Sequence, residues 1–126
     1  MPRPGQEYDE MEKRVGKYAI RSKIWIEDGA GRPVFGAGRC RILEAVDRLR
    51  SLQAAARELK MSYRAVWGRI RASEERLGKT LVAREGRGSR LTPYAVELMR
   101  AFQDIEARVK GEADAAFAAL LGKKPR

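Results

Sequence analysis

Two serines, Ser51 and Ser62, stand immediately ahead of runs of helix-forming residues, and each can accept a hydrogen bond from a first-turn N–H group that the helix leaves unpaired. The spacing predicts a short helix over 52–59, a tight turn, and a second helix from Tyr63 to about Leu77, where Gly78 supplies a stop. Two capped helices joined in this way form a helix-turn-helix, which places double-stranded DNA first among candidate partners. The small residues Ala54, Ala55 and Ala56 allow the helices to cross at close range.

The chain carries a formal net charge of +10, which calls for a polyanionic partner but does not by itself separate nucleic acid from an anionic membrane. Its distribution is more telling. Residues 39–92 hold 14 Lys/Arg against 6 Asp/Glu, whereas residues 1–38 hold 7 against 6 and residues 93–126 hold 6 against 5. Nearly all of the excess therefore sits on the segment with the helix-turn-helix, as phosphate neutralisation by that element requires. A generic solvated basic surface is the plainer reading.

With no histidine and one cysteine, the chain lacks the raw material for the usual transition-metal clusters, cysteine–histidine nucleophile pairs and histidine acid–base chemistry. No enzymatic activity, metal or cofactor is expected. Cys40, at the start of a predicted helix, reads as a small buried residue. No run of about 18 apolar residues occurs, and the N-terminus leads into acidic polar residues, so a cytoplasmic location without a membrane partner is expected.

The pattern along the chain predicts a mainly α fold with small β elements. Residues 1–17, polar and broken by Pro and Gly, read as a flexible arm with a possible helical turn around Met11. Residues 18–92 are expected to form the DNA-binding domain. In it, Ile20, Ile24 and Ile26 alternate with Lys23 and Trp25, and the turn residues Asp28 to Gly31 precede Pro33-Val34-Phe35, which predicts an N-terminal β-hairpin. Gly36-Ala37-Gly38 is expected to break the strand before a helix over 39–50 with Ile42, Leu43, Val46 and Leu49 on its apolar face. Past Gly78, residues 81–84 and 91–92 read as paired strands around a cationic, glycine-rich tip at 85–90. Such a hairpin is a wing. Thr92 and Pro93 then give a cap and a first helical position.

That last helix is expected over 93–121, with a possible interruption at Gly111, and residues 122–126 form a basic tail. Val96, Met99, Phe102, Ile105, Val109, Ala113, Ala116 and Leu120 step mostly by three or four, a stripe suited to a partner helix and hence to a homodimer. The same stripe can instead fold back on its own domain.

Leu52-Gln53-Ala54-Ala55-Ala56-Arg57-Glu58-Leu59, Ala65-Val66, Leu77-Gly78, Leu81-Val82, Arg84 and Gly86-Arg87-Gly88-Ser89-Arg90-Leu91-Thr92 resemble, in order and spacing, the winged helix-turn-helix of LysR-type transcription regulators. Met61-Ser62-Tyr63-Arg64-Ala65-Val66-Trp67, with Trp25-Ile26-Glu27-Asp28, Pro33-Val34-Phe35-Gly36 and Gly38-Arg39, is similar within that superfamily to the N-terminal domain of ModE, the molybdate-responsive regulator. ModE proteins continue into a molybdate-binding module. The sequence ends at Arg126 without room for one, so molybdate sensing is not carried over and no small-molecule effector site is expected. The wing is closer to the LysR pattern than to ModE, and Lys60 occupies a turn position where many helix-turn-helices place glycine.

In the second helix of the motif, Val66, Ile70 and Leu77 define the buried face, so Arg64, Gly68, Arg71 and Glu75 point outward. That face is expected in the major groove. Arg64 has the forked donors for guanine O6 and N7, a phosphate contact being the alternative. Tyr63 either offers its hydroxyl to DNA or braces the turn, and Trp67 either contacts DNA or belongs to the rim of the core. Ser62 can cap the helix while its first turn meets a phosphate. Gly68, which costs about 1 kcal/mol against alanine, reflects close approach of DNA or ordinary tolerance. Arg69 and Arg71 are placed for phosphates, as are Arg87 and Arg90 on the wing, which can alternatively enter the minor groove. A dimeric regulator would bind a near-palindromic operator. The other classes left open are a nonspecific architectural DNA-binding protein and a protein-interaction adaptor acting through its C-terminal helix.

Overall fold

The computed structural model describes residues 18–122. The expected arm at 1–17, with its helical turn, and all but the first residue of the tail at 122–126 lie outside the described residues. The described chain falls into two compact units, one spanning Lys23–Asp104 and one containing residues 18–22 and 105–122. In chain order the elements are β1 (Trp25–Glu27), β2 (Pro33–Gly36), α1 (Ala37–Leu49), α2 (Leu52–Glu58), α3 (Tyr63–Leu77), β3 (Val82–Glu85), β4 (Gly88–Leu91) and α4 (Pro93–Leu121). This is the mostly helical winged helix-turn-helix with small hairpins and a long last helix that the sequence leads one to expect.

The helix boundaries follow local chemistry. Ser51 Oγ accepts from Ala54 N at 3.1 Å and Ser62 Oγ from Ala65 N at 3.0 Å, while Thr92 Oγ1 accepts from Ala95 N at 3.1 Å. Each cap satisfies one orphan donor. Helix α2 ends in a Schellman motif: Met61 N donates to Ala56 O at 2.9 Å and Lys60 N to Arg57 O at 3.2 Å. That motif places Lys60 at φ +56°, in the left-handed region that glycine usually fills.

Helix α1 begins at Ala37, two residues earlier than expected, because the Gly36-Ala37-Gly38 run does not break the chain: Gly36 is the N-cap and Gly38 lies in the first turn. Ile42, Leu43 and Val46 are buried, with Cys40 beside them. They meet Ala55 and Ala56 of α2, Val66 and Ile70 of α3, Leu81 before the wing, and Ala95, Met99 and Phe102 of α4 in one core. Burying each large aliphatic or aromatic side chain there contributes about 1.5–3 kcal/mol.

The N-terminal hairpin is present but packs differently from the alternation read in its first half. Pairing is confined to Trp25↔Gly36, Ile26↔Phe35 and Glu27↔Pro33, with a bulge between Ile26 and Glu27. Ile20 and Ile26 are exposed and Ile24 is half-buried, whereas the adjacent Val34 and Phe35 are both buried. Both faces of β2 are covered, which erases alternation: Ser73 of α3 donates to Val34 O at 2.6 Å, and the Phe35 ring meets Phe102 edge-on at 5.3 Å.

Phe35 also decides the fate of the apolar stripe on α4. Met99 and Phe102 are spent on the core of their own unit and Val96 packs against it. The remaining members are Ile105 and Leu120, both exposed, the half-buried Val109 and Ala113, and the exposed Ala116. Gly111 does not interrupt the helix.

Candidate nucleic-acid interface

Helix α3 is held from both flanks and left open outward. Val66, Ile70 and Ser73 are buried, while Arg64, Gly68, Arg71 and Glu75 are exposed, as 3.6-residue periodicity requires of a helix lying on a core. On one flank Glu74 Oε2 accepts from Leu81 N at 2.7 Å and Val82 N at 3.3 Å, tying the wing to the helix. On the other flank Ser73 and Arg76 donate to the backbone oxygens of Val34 and Pro33 in β2. The outward face is therefore presented by a rigid frame.

The wing is more regular than its glycines suggest. Strand pairing runs from Val82↔Leu91 through Ala83↔Arg90 and Arg84↔Ser89 to Glu85↔Gly88, so the tip is only Gly86-Arg87, not the whole of 85–90. Gly86 has φ +58°, and a positive φ confined to the first central residue is what a type II′ hairpin turn asks for. Gly88 serves another purpose. A Cβ built there would stand 2.5 Å from Arg50 O, and the neighbouring Ser89 N donates to that same oxygen at 3.0 Å. Close backbone approach thus docks the wing on the end of α1.

Between α3 and the wing lies an open cleft of about 470 Å³, lined by Ser51, Gln53, Tyr63, Trp67, Arg84 and Arg87 among others. Tyr63 and Trp67 are 48% and 38% exposed and line the cleft beside the core residues Leu52 and Val82. Arg71 lies over the Trp67 ring at 5.7 Å and 3.8 Å from a Glu74 oxygen, which holds its cation beside Trp67.

The expected site residues thus divide. Ser62, Tyr63, Arg64, Trp67, Gly68 and Arg71 share the outward face and wing side of α3, with Arg87 at the exposed wing tip. Arg69 lies on the hairpin flank, its backbone oxygen accepting from Arg39 Nε at 3.4 Å. Arg90 pairs with Ala83 and points to the opposite face of the wing from Arg84 and Ser89. Sequence reasoning passed over Gln53 and Arg84 as site residues. Strand alternation carried the signal for Arg84, which shares the face of Val82 one step beyond the core.

Comparison with known proteins agrees with this architecture. The family model described as a bacterial regulatory helix-turn-helix protein of the lysR family matches residues 38–96. Residues 38–96 thus match a LysR-type helix-turn-helix domain. A molybdenum-pterin-binding protein, MopB of Rhodobacter capsulatus, is 38% identical over 79 residues, which cover 59% of this chain and 29% of MopB. The HTH-type transcriptional regulator TrpI of Pseudomonas aeruginosa is 39% identical over 71 residues, 56% of this chain and 24% of TrpI. The chain thus spans under a third of the length of these relatives. Among solved structures, the CbnR_DBD–DNA complex superposes with a TM-score of 0.55 at 26% identity, covering 65% of this chain and 94% of that one. Within the matched region α2 and α3 are the helix-turn-helix and β3–β4 is the wing. Among the described residues no helix is long and apolar enough to cross a membrane.

Proposed function

We propose that this chain is a sequence-specific DNA-binding transcription regulator that grips a near-palindromic site as a homodimer. The observation that carries the reading is the outward face of α3, where Arg64, Gly68, Arg71 and Glu75 are exposed between two buttressed flanks. A helix of about 10–12 Å diameter matches a major groove about 12 Å wide. In this reading Arg64, in the first turn, reads a guanine, while Arg71, Arg69 and the wing cations Arg84 and Arg87 meet phosphates, Arg90 lying on the other face of the wing. Tyr63 and Trp67 line the cleft where the backbone passes. The LysR-type match and the similarity to a domain crystallised with DNA support this assignment.

The second half of α4 supplies the dimer contact, through Ile105, Val109, Ala113, Ala116 and Leu120. Pairing there sets the separation of the two recognition helices and hence the length of the site. Similarity to MopB, together with the hairpin ahead of α1, supports placing the domain on the ModE-like side of the superfamily.

The test is a selection of bound genomic fragments with the full chain and with Arg64→Ala. The reading expects an enriched inverted repeat bound about 10³-fold or more above random duplex, and relaxed preference at one base position in the variant. An architectural protein would show no enriched motif. An adaptor would show no duplex binding.

A further inference from the structure

On the flank of α3 away from the wing, the hairpin and the first turn of α1 form a shallow groove of about 510 Å³. Lys23, Arg39, Arg41 and Arg69 line it, Trp25 gives it an apolar wall, and no carboxylate is among its lining residues. Lys23, Arg41 and Arg69 are exposed; Arg39 is half-buried, with Nε directed to Arg69 O. Burial, then the neighbouring charges of Arg76 and Arg69, hold the Arg39 pKa below its usual value. Several cations elsewhere in this unit pair with carboxylates, among them Arg32 with Asp28, Arg48 with Glu58 and Arg50 with Glu85. The groove instead gathers like charges, an arrangement that costs free energy until a polyanion neutralises it.

Its position names the polyanion. Arg69 is two residues, about 200°, around α3 from Trp67 in the wing-side cleft. A helix filling the major groove turns its two flanks toward the two phosphate rims, so an element on each flank faces its own strand. We propose that this groove is a second phosphate-binding surface for duplex DNA, in which Lys23, Arg39 and Arg41 grip the strand on the hairpin side while the wing grips the other. The inference rests on the DNA-binding reading above and extends the contact to the segment leading into β1 and to the start of α1, outside the helix-turn-helix and wing.

The test uses the full chain and a 40-base-pair random-sequence duplex, with affinity read by fluorescence anisotropy across NaCl concentrations. Each phosphate contact contributes about 0.9 to the slope of log affinity against log salt. The double variant Lys23→Gln/Arg41→Gln, which leaves the Arg39–Arg69 bond intact, is expected to reduce the slope by about 1–2 per bound protomer. A charge-matched control, Lys79→Gln/Arg100→Gln, is expected to leave it unchanged. An unchanged slope in the groove variant, or an equal fall in the control, overturns the proposal. If Arg87→Gln still lowers the slope in that case, the regulator reading survives and only the groove is lost. Failure of the unmodified chain to bind duplex would overturn both.

Discussion

Replacing Gly68 by leucine separates the stability of α3 from its use. Gly68 is exposed in mid-helix, and a Cβ added there meets nothing within 4 Å. Glycine costs a helix interior about 0.8–1.0 kcal/mol relative to alanine, and leucine is nearly as good a helix former as alanine. The free domain should therefore gain about 0.8 kcal/mol, a rise of roughly 3 °C in Tm for a chain of this size. In the complex the same side chain would be forced against base edges. Overpacking a close-packed contact costs about 1–3 kcal/mol, which at 1.4 kcal/mol per decade weakens binding about 5- to 150-fold. Thermal unfolding by circular dichroism and duplex titration of the same preparation read the two effects. Gly111→Leu is the control: its site is also open within 4 Å and exposed on α4, so it should raise Tm without changing affinity. A Gly68→Leu protein that is more stable and binds DNA like the unmodified chain would refute the placement of this face in the groove.

Three further substitutions or conditions follow from the geometry. Gly88→Ala must push the wing off Arg50 O by nearly an ångström from its 2.5 Å approach, losing the Ser89–Arg50 hydrogen bond; a loss of about 1–3 kcal/mol in urea unfolding is expected, and no loss would mean the wing is not docked there. Lys60→Gly relieves a left-handed lysine at φ +56° against a larger unfolded-state entropy, for a net change between about 0 and 1 kcal/mol in favour of the fold. A clear destabilisation would contradict the Schellman turn. Asp28 accepts from Arg32 N at 3.0 Å and Ala30 N at 2.9 Å and pairs with the Arg32 side chain, and the Arg32 backbone bond is first among the causes that lower its pKa. A carboxylate with a lowered folded-state pKa contributes above its unfolded pKa near 4, and that contribution is lost as pH falls through the lower folded value. The Ala30 and Arg32 amide resonances should therefore shift together below about pH 4, and in Asp28→Asn that coupled shift should vanish.

What was legible in the sequence is what local chemistry decides. Ser51, Ser62, Thr92 and Gly78 announce the helix ends because each acts on backbone atoms within a turn of itself. The outward face of α3 follows from one helical period. The hairpin was harder, since Val34 and Phe35 are both buried between elements that no local pattern reveals. The stripe on α4 shows the same limit: periodicity marks a face as apolar without naming what covers it, and Phe35 claims Phe102. Gly36 and Gly38 mislead as breakers because an N-cap and a first turn tolerate glycine at little cost. The cationic groove was invisible because it brings Lys23 from the segment ahead of β1, Arg39 from α1 and Arg69 from α3 together.

Methylation protection of guanine N7 by dimethyl sulfate, on a selected duplex with the full chain and with Arg64→Ala, tests the central claim most directly. N7 lies in the major groove, so a recognition helix seated there protects guanines in each half-site, and removing Arg64 frees one of them at saturating protein. Saturated binding that leaves every guanine N7 reactive, or protection identical in the variant, would contradict the account.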